Sequence, residues 1–145
     1  MISAEMNQSR LKGGQRLPLR RFNQVLHACA RGLGLTHDVV ISIAFVSTAQ
    51  MRQLNRQWRG KNNVTDVLSF ELNEGPLKGE VLISYEQAKK QAKERGHSTR
   101  DEVCFLIVHG VLHVFGYDHE TSAEAKTMFS LQEKVLKSLN IDHRL

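Results

Sequence analysis

The sequence predicts an α/β (α+β) fold: one compact domain with about five helices packed on a small, mostly mixed sheet of about four strands. Three observations carry this. Segments with apolar residues three and four apart alternate with short runs rich in β-branched residues, the two periodicities of helix and strand. Their order is helix, strand, helix, strand, strand and then three helices, which is helices layered on a short sheet. At 145 residues the chain is long enough for one real core without staples, and it carries no internal repeat or interdomain linker.

In chain order, residues 1–17 are the poorly defined part, able to form a short strand over Ile2 to Met6 before a basic loop over Arg10 to Gln15; residues 18–145 are the single domain. Pro18 suits a first helical turn, and Leu19, Phe22, Val25, Leu26, Cys29 and Ala30 repeat at helical spacing up to a stop at Gly32 or Gly34. His27 on this helix reads as an ordinary partly buried histidine. Val39 to Val46 is a buried strand. Ser47 with Gln50 forms a capping box for a second helix marked by Met51, Leu54 and Trp58, ending at Arg59-Gly60 before a polar turn at Lys61-Asn62-Asn63.

Residues 65–72 alternate Val67, Ser69, Glu71 against Leu68, Phe70, Leu72, as a half-buried edge strand does; residues 73–78, with Gly75-Pro76, are a loop, and residues 79–84 another strand. Ser84 with Gln87 opens a polar helix to about Arg95, whose Lys89, Lys90, Lys93 and Arg95 make either a solvated face or an RNA-contacting patch. Thr99 with Glu102 caps the next helix, whose residues 103–108, Val111 and Leu112 are apolar nearly all round, the pattern of a helix buried mid-domain. Thr121 with Glu124 caps the last, with Ala125, Met128, Phe129, Leu131, Val135, Leu136 and Leu139 as core positions.

No run approaches the roughly 18 apolar residues of a membrane span, and the polar N-terminus has no signal-peptide core, so no membrane partner is expected. Cys29 and Cys104, far apart in apolar helical surroundings, read as buried free thiols and fit a reducing cytoplasm. The net charge of +5 makes a polyanion such as nucleic acid the first partner to consider.

Chemistry concentrates in His109-Gly110-Val111-Leu112-His113-Val114-Phe115-Gly116-Tyr117-Asp118-His119, at the end of the buried helix. Residues four apart on a helix lie on one face, roughly 6 Å apart, so His109 and His113 can point at one ion. Gly116 stops the helix, and the returning chain offers His119 as third ligand. Three imidazoles with an open fourth position favour a catalytic zinc, one per chain, although nickel, copper or iron suit the same donors. The frame H-x-x-x-H-x-x-G-x-x-H is that of the metzincin proteases, which place a glutamate base after the first histidine. Here that position is Gly110, which carries no proton. Asp118 either orients a histidine or is a turn aspartate facing solvent. The second constellation runs from Leu54-Asn55 through Arg59 to Thr65-Asp66-Val67-Leu68-Ser69-Phe70. Arg59 could grip a phosphate at two oxygens or simply complement its helix dipole.

With both stretches in view, the chain resembles the YbeY family of zinc-dependent endoribonucleases, the bacterial rRNA maturation factors, over roughly residues 39–139. The resemblance implies a compact α/β fold, a metal held by His109, His113 and His119, and an arginine required for activity that maps to Arg59. It also implies single-strand-specific RNA cleavage in 16S rRNA 3′-end maturation and ribosome quality control, with the small ribosomal subunit as partner. Two departures are Glu80, where the family usually has aspartate after glycine, and a short loop at residues 73–78; residues 1–17 match poorly. In the expected mechanism zinc activates a phosphoryl oxygen or water, Arg59 stabilises the charge developing on phosphate, and Lys61 with the Lys89–Lys93 face holds the backbone. The alternatives are a zinc metallopeptidase or amidase, and a ribosome-associated binding module with a structural zinc.

Overall fold

Strand β2 (Val39–Val46) buries every second side chain against the main core, with Val39, Ile41, Ile43 and Phe45 pointing one way. That parity sorts the whole molecule, because side chains alternate across a sheet. Strand β4 (Leu77–Ser84) sends Val81 and Ile83 to the same face, while Leu82 joins Leu68 of β3 (Val67–Glu74) on the other. Helix α2 (Thr48–Arg59) covers that second face with Met51, against Leu68 and Leu82. The first face carries helices α1 (Leu19–Leu33), α4 (Thr99–Val114) and α5 (Ser122–Ser138). The structure is a computed structural model describing residues 1–62 and 64–141; Asn63 of the expected polar turn and residues 142–145 lie outside the described residues.

The sheet order is β1-β2-β4-β3, with β1 (Ile2–Asn7) parallel to β2, β2 parallel to β4, and β3 antiparallel to β4. Among the described residues the mixed four-stranded sheet and five α-helices are those the sequence predicts, and β3 is an edge strand as its alternation implies. The loop expected at residues 73–78 is smaller. Both strands run on until only Gly75 and Pro76 separate them, with Asn73 and Gly75 at φ of 54° and 61° turning the chain. Helix α3 (Tyr85–Arg95) follows β4 at once, Ser84 accepting from the Gln87 amide at 3.2 Å.

Helix α4 is central, with all of residues 102–108, 110–112 and Val114 buried. Two glycines let it approach the sheet. A Cβ on Gly110 would stand 2.7 Å from Val81 Cγ1, and one on Gly79 of β4 would stand 2.4 Å from the Phe70 carbonyl oxygen and 2.6 Å from Val114 Cγ1. Each fully buried Leu, Ile or Val contributes about 1.5–3 kcal/mol, so this seat is rigidly specified.

Local signals mislead in several places. Helix α4 begins one residue early: Ser98, not Thr99, is the cap, accepting from the Asp101 amide at 3.0 Å. Glu102 is no capping-box residue but is wholly buried, taking the Arg95 guanidinium at 2.7 Å and facing His97 Nε2. Arg95 therefore leaves the basic face of α3, on which Lys89, Lys90 and Lys93 are exposed. Phe129, expected in the core, is 45% exposed, and Leu19 and Trp58, which mark the helical spacing of α1 and α2, are exposed at 70% and 61%. His27 is exposed rather than partly buried. Cys29 and Cys104 are buried free thiols, their pKa values pushed by burial to about 12 and about 11. No helix among the described residues is long and apolar enough to cross a membrane.

Candidate metal centre

The last turn of α4 sets the first two histidines. His109 and His113 are one turn apart, and their Nε2 atoms face each other at 3.1 Å with ring centroids 4.6 Å apart. The helix then ends in a tight turn: the Gly116 amide bonds to the His113 carbonyl at 2.9 Å and the Tyr117 amide to the Leu112 carbonyl at 3.1 Å. Gly116 has φ of 94°, a conformation that side chains oppose, so glycine is what lets the chain double back here. His119 arrives with its ring 5.6 Å from that of His109 and 5.2 Å from that of His113. One ring nitrogen from each of the three lies within 4.8 Å of the others, a group that could hold a metal ion.

The chemistry of the donors fits such an ion. His109 Nδ1 lies 2.7 Å from Gln132 Oε1 on α5. An amide oxygen only accepts, so Nδ1 carries the proton and Nε2 presents its lone pair to the cluster. Burial, against the opposing Gln132 bond, lowers the His109 pKa. Burial first and the His109 charge second lower that of His113 to about 4, against a backbone hydrogen bond to Tyr117. Both rings are therefore neutral at pH 7, the form that binds metal. Two nitrogens on one tetrahedral zinc, each at 2.0–2.1 Å, stand about 3.3 Å apart, close to the His109–His113 spacing.

Gly110 now has a physical account. A Cβ at Gly110, which holds the place of the metzincin glutamate, would stand 2.7 Å from Val81 Cγ1 and 3.4 Å from Val67 Cγ2 of the sheet, so no side chain fits there. Asp118 accepts from the His119 backbone amide at 2.8 Å, a turn role. Gln132, the group that does hydrogen-bond the His109 ring, was not singled out from sequence, though a polar residue on the Met128–Val135–Leu136 stripe of α5 is the signal for it. Phe129, instead of entering the core, lies against His119 with centroids 5.7 Å apart and planes 25° from parallel.

Arg59 ends α2, with Gly60 behind it in the left-handed conformation. Its Nη2 donates to the Ser69 carbonyl at 3.0 Å, and its guanidinium stands 6.0 Å from the Phe70 ring centre. It shares a cleft with the histidines: Arg59, Lys61, His109, His113 and His119 line one open space of about 880 Å³, with Asp66, Glu71 and Asp118 among its acidic walls. The two stretches singled out in the sequence thus meet at one site. Lys89, Lys90 and Lys93 do not line it.

Comparisons agree with this architecture. The family described as endoribonuclease YbeY matches residues 4–140, which takes in most of the N-terminal segment that the motifs left out. A protein of Ureaplasma urealyticum named endoribonuclease YbeY is 41% identical over 127 residues, covering 85% of this chain and 82% of that one. Its namesake in Persephonella marina is 47% identical over 109 residues, 70% of this chain and 71% of the other. Among solved structures, the solution structure of TM1509 from Thermotoga maritima superposes with a TM-score of 0.59 at 26% identity, covering 97% of this chain and 92% of that one. The chain belongs to the endoribonuclease YbeY family.

Proposed function

We propose that the chain is a zinc-dependent endoribonuclease that cuts single-stranded RNA, acting in the cytoplasm on rRNA, at the 16S 3′ end and in ribosome quality control, in association with the small subunit. The observation that carries the hydrolytic part is the shared cleft, lined by three convergent imidazoles and by a guanidinium. The rRNA and ribosome parts rest on the family resemblance. His109, His113 and His119 hold the ion, and Gln132 keeps His109 in the tautomer that can bind it. Zinc in that position supplies Lewis acidity toward phosphate and acidifies water, so no glutamate base is required. Arg59, with one Nη occupied by the Ser69 carbonyl, keeps its remaining N–H groups for a phosphate oxygen. Lys61 adds charge at the same rim.

An Arg59→Ala variant tests this. It should keep its fold and metal while cleavage of single-stranded RNA falls about 100-fold, the usual cost of losing one charge-stabilising donor. Full cleavage by a pure, metal-replete variant would remove Arg59 from the machinery. Product ends decide the nucleophile: a 2′,3′-cyclic phosphate means attack by the 2′-hydroxyl, and DNA would then resist.

A further inference from the structure

A second cavity, of about 350 Å³, shares Asp66, Val67 and His109 with the main cleft. Its other walls include the Phe105 and Phe129 rings, Arg95, Gln132 and Glu133. We propose that this cavity is a nucleobase subsite, seating the base of a nucleotide adjacent to the phosphodiester held in the main cleft. The inference rests on the ribonuclease reading and deepens it.

Size, shape and charge select this occupant. Small-molecule sites begin at roughly 300 Å³, so the cavity takes a single ring system rather than a chain segment. Its aromatic content suits a flat ring. Phe129 is 45% exposed although helical spacing marks it for the core, and buried Phe105, stacked on His109 with centroids 6.0 Å apart, carries the Arg95 guanidinium 5.7 Å from its centre. Stacking on aromatic rings and guanidinium planes is how proteins hold unstacked bases. The charges argue against a phosphate. Arg95 is already ion-paired to buried Glu102 at 2.7 Å, Glu133 is ion-paired to Lys137 at 2.9 Å, and the Asp66 carboxylate also lines the space. An anion meets the Asp66 carboxylate there, whereas a neutral base presents N–H groups that such an oxygen accepts. The seat also borders Gln132, whose amide oxygen orients His109. A base in this cavity and a phosphate at the histidines are thus neighbours through one residue.

The test pairs a substrate change with a protein change. An abasic nucleotide is walked through each position flanking the cleaved bond of a single-stranded oligoribonucleotide, and binding to the zinc-loaded protein is read by fluorescence anisotropy before turnover. One position should weaken binding about 5- to 150-fold, the range for losing one stacked base. A Phe129→Leu variant, which keeps apolar bulk against His119 but loses the aromatic face, should weaken binding of the intact oligonucleotide by a similar factor. It should then show no further loss with the abasic one, its zinc content unchanged. If no flanking position is sensitive, or the two losses multiply independently, the subsite is wrong while cleavage stands. If the zinc-loaded wild type neither binds nor cleaves single-stranded RNA, the ribonuclease reading falls and the subsite with it.

Discussion

The two ends of α4 each carry polar groups into the core, and they solve the problem in opposite ways. Near the N-terminal end, Glu102 is wholly buried, but Arg95 and His97 reach its two oxygens from the end of α3, so the charge is paired on the spot. At the C-terminal end, His109 and His113 are partly buried, and their Nε2 atoms face each other rather than a carboxylate or carbonyl. Gln132 satisfies only the outer nitrogen of His109. A closed polar cluster fastens helices together, whereas lone pairs converging on one point are a receptor for a cation. The same helix is a strut at one end and carries, at the other, histidines that could hold a metal ion.

Exchanging the damage should separate the roles. Removing Glu102 as Glu102→Ala opens a cavity and strands its partners, and should cost about 3 kcal/mol in chemical denaturation, within the range for broken buried pairs. Metal content measured by atomic absorption should not change. His113→Ala should do the reverse, abolishing stoichiometric zinc while the metal-free fold shifts by no more than about 1 kcal/mol. Equal destabilisation by both, with both losing zinc, would erase the distinction.

Chelation sharpens it next. Zinc at 1,000 times its dissociation constant stabilises by about 4 kcal/mol, so stripping it should lower Tm in the wild type and leave His113→Ala unaffected. A smaller effect belongs to Gln132→Leu, which keeps the side-chain bulk but frees the His109 tautomer. Zinc affinity, read by competition with a chromophoric chelator, should drop about 10-fold or somewhat more. Unchanged affinity would make Gln132 a packing residue.

The smallest effect concerns the thiols. With Cys29 at about 12 and Cys104 at about 11, both stay protonated and unreactive to alkylating reagents at pH 8 in the native protein. The sign of the linkage follows from these raised values. The unfolded chain loses its thiol protons near pH 9 while the fold retains them, so stability should decline from about pH 9 toward pH 12. Replacing both cysteines with alanine should flatten that limb, measured by denaturation across pH.

Much of the molecule is legible without coordinates, because it depends on neighbours in the chain. The β-branched run from Val39 to Val46, the all-round apolarity of α4 and the spacing of His109, His113 and His119 are local patterns that the chain carries before it folds. Elsewhere the local signal and the fold part company. Thr99 with Glu102 spells a capping box, yet the buried site between α3 and α4 claims Glu102 for Arg95 and His97. Phe129 has core spacing, yet it turns to His119. Trp58 likewise stays outside, edge-on to Phe70 with centroids 6.0 Å apart.

By itself, then, the sequence determined the elements, their order and a three-imidazole motif poised to converge, since these follow from spacing and backbone preference. Only the tertiary structure decided that Arg59, fifty residues before His109, lines the same cleft as the histidines, that Gln132 sets a ring from another helix, and that Val81 leaves no room for a side chain at Gly110. Those relations depend on how helices seat on a sheet, a matter of side-chain volume and distance that no periodicity in one segment encodes.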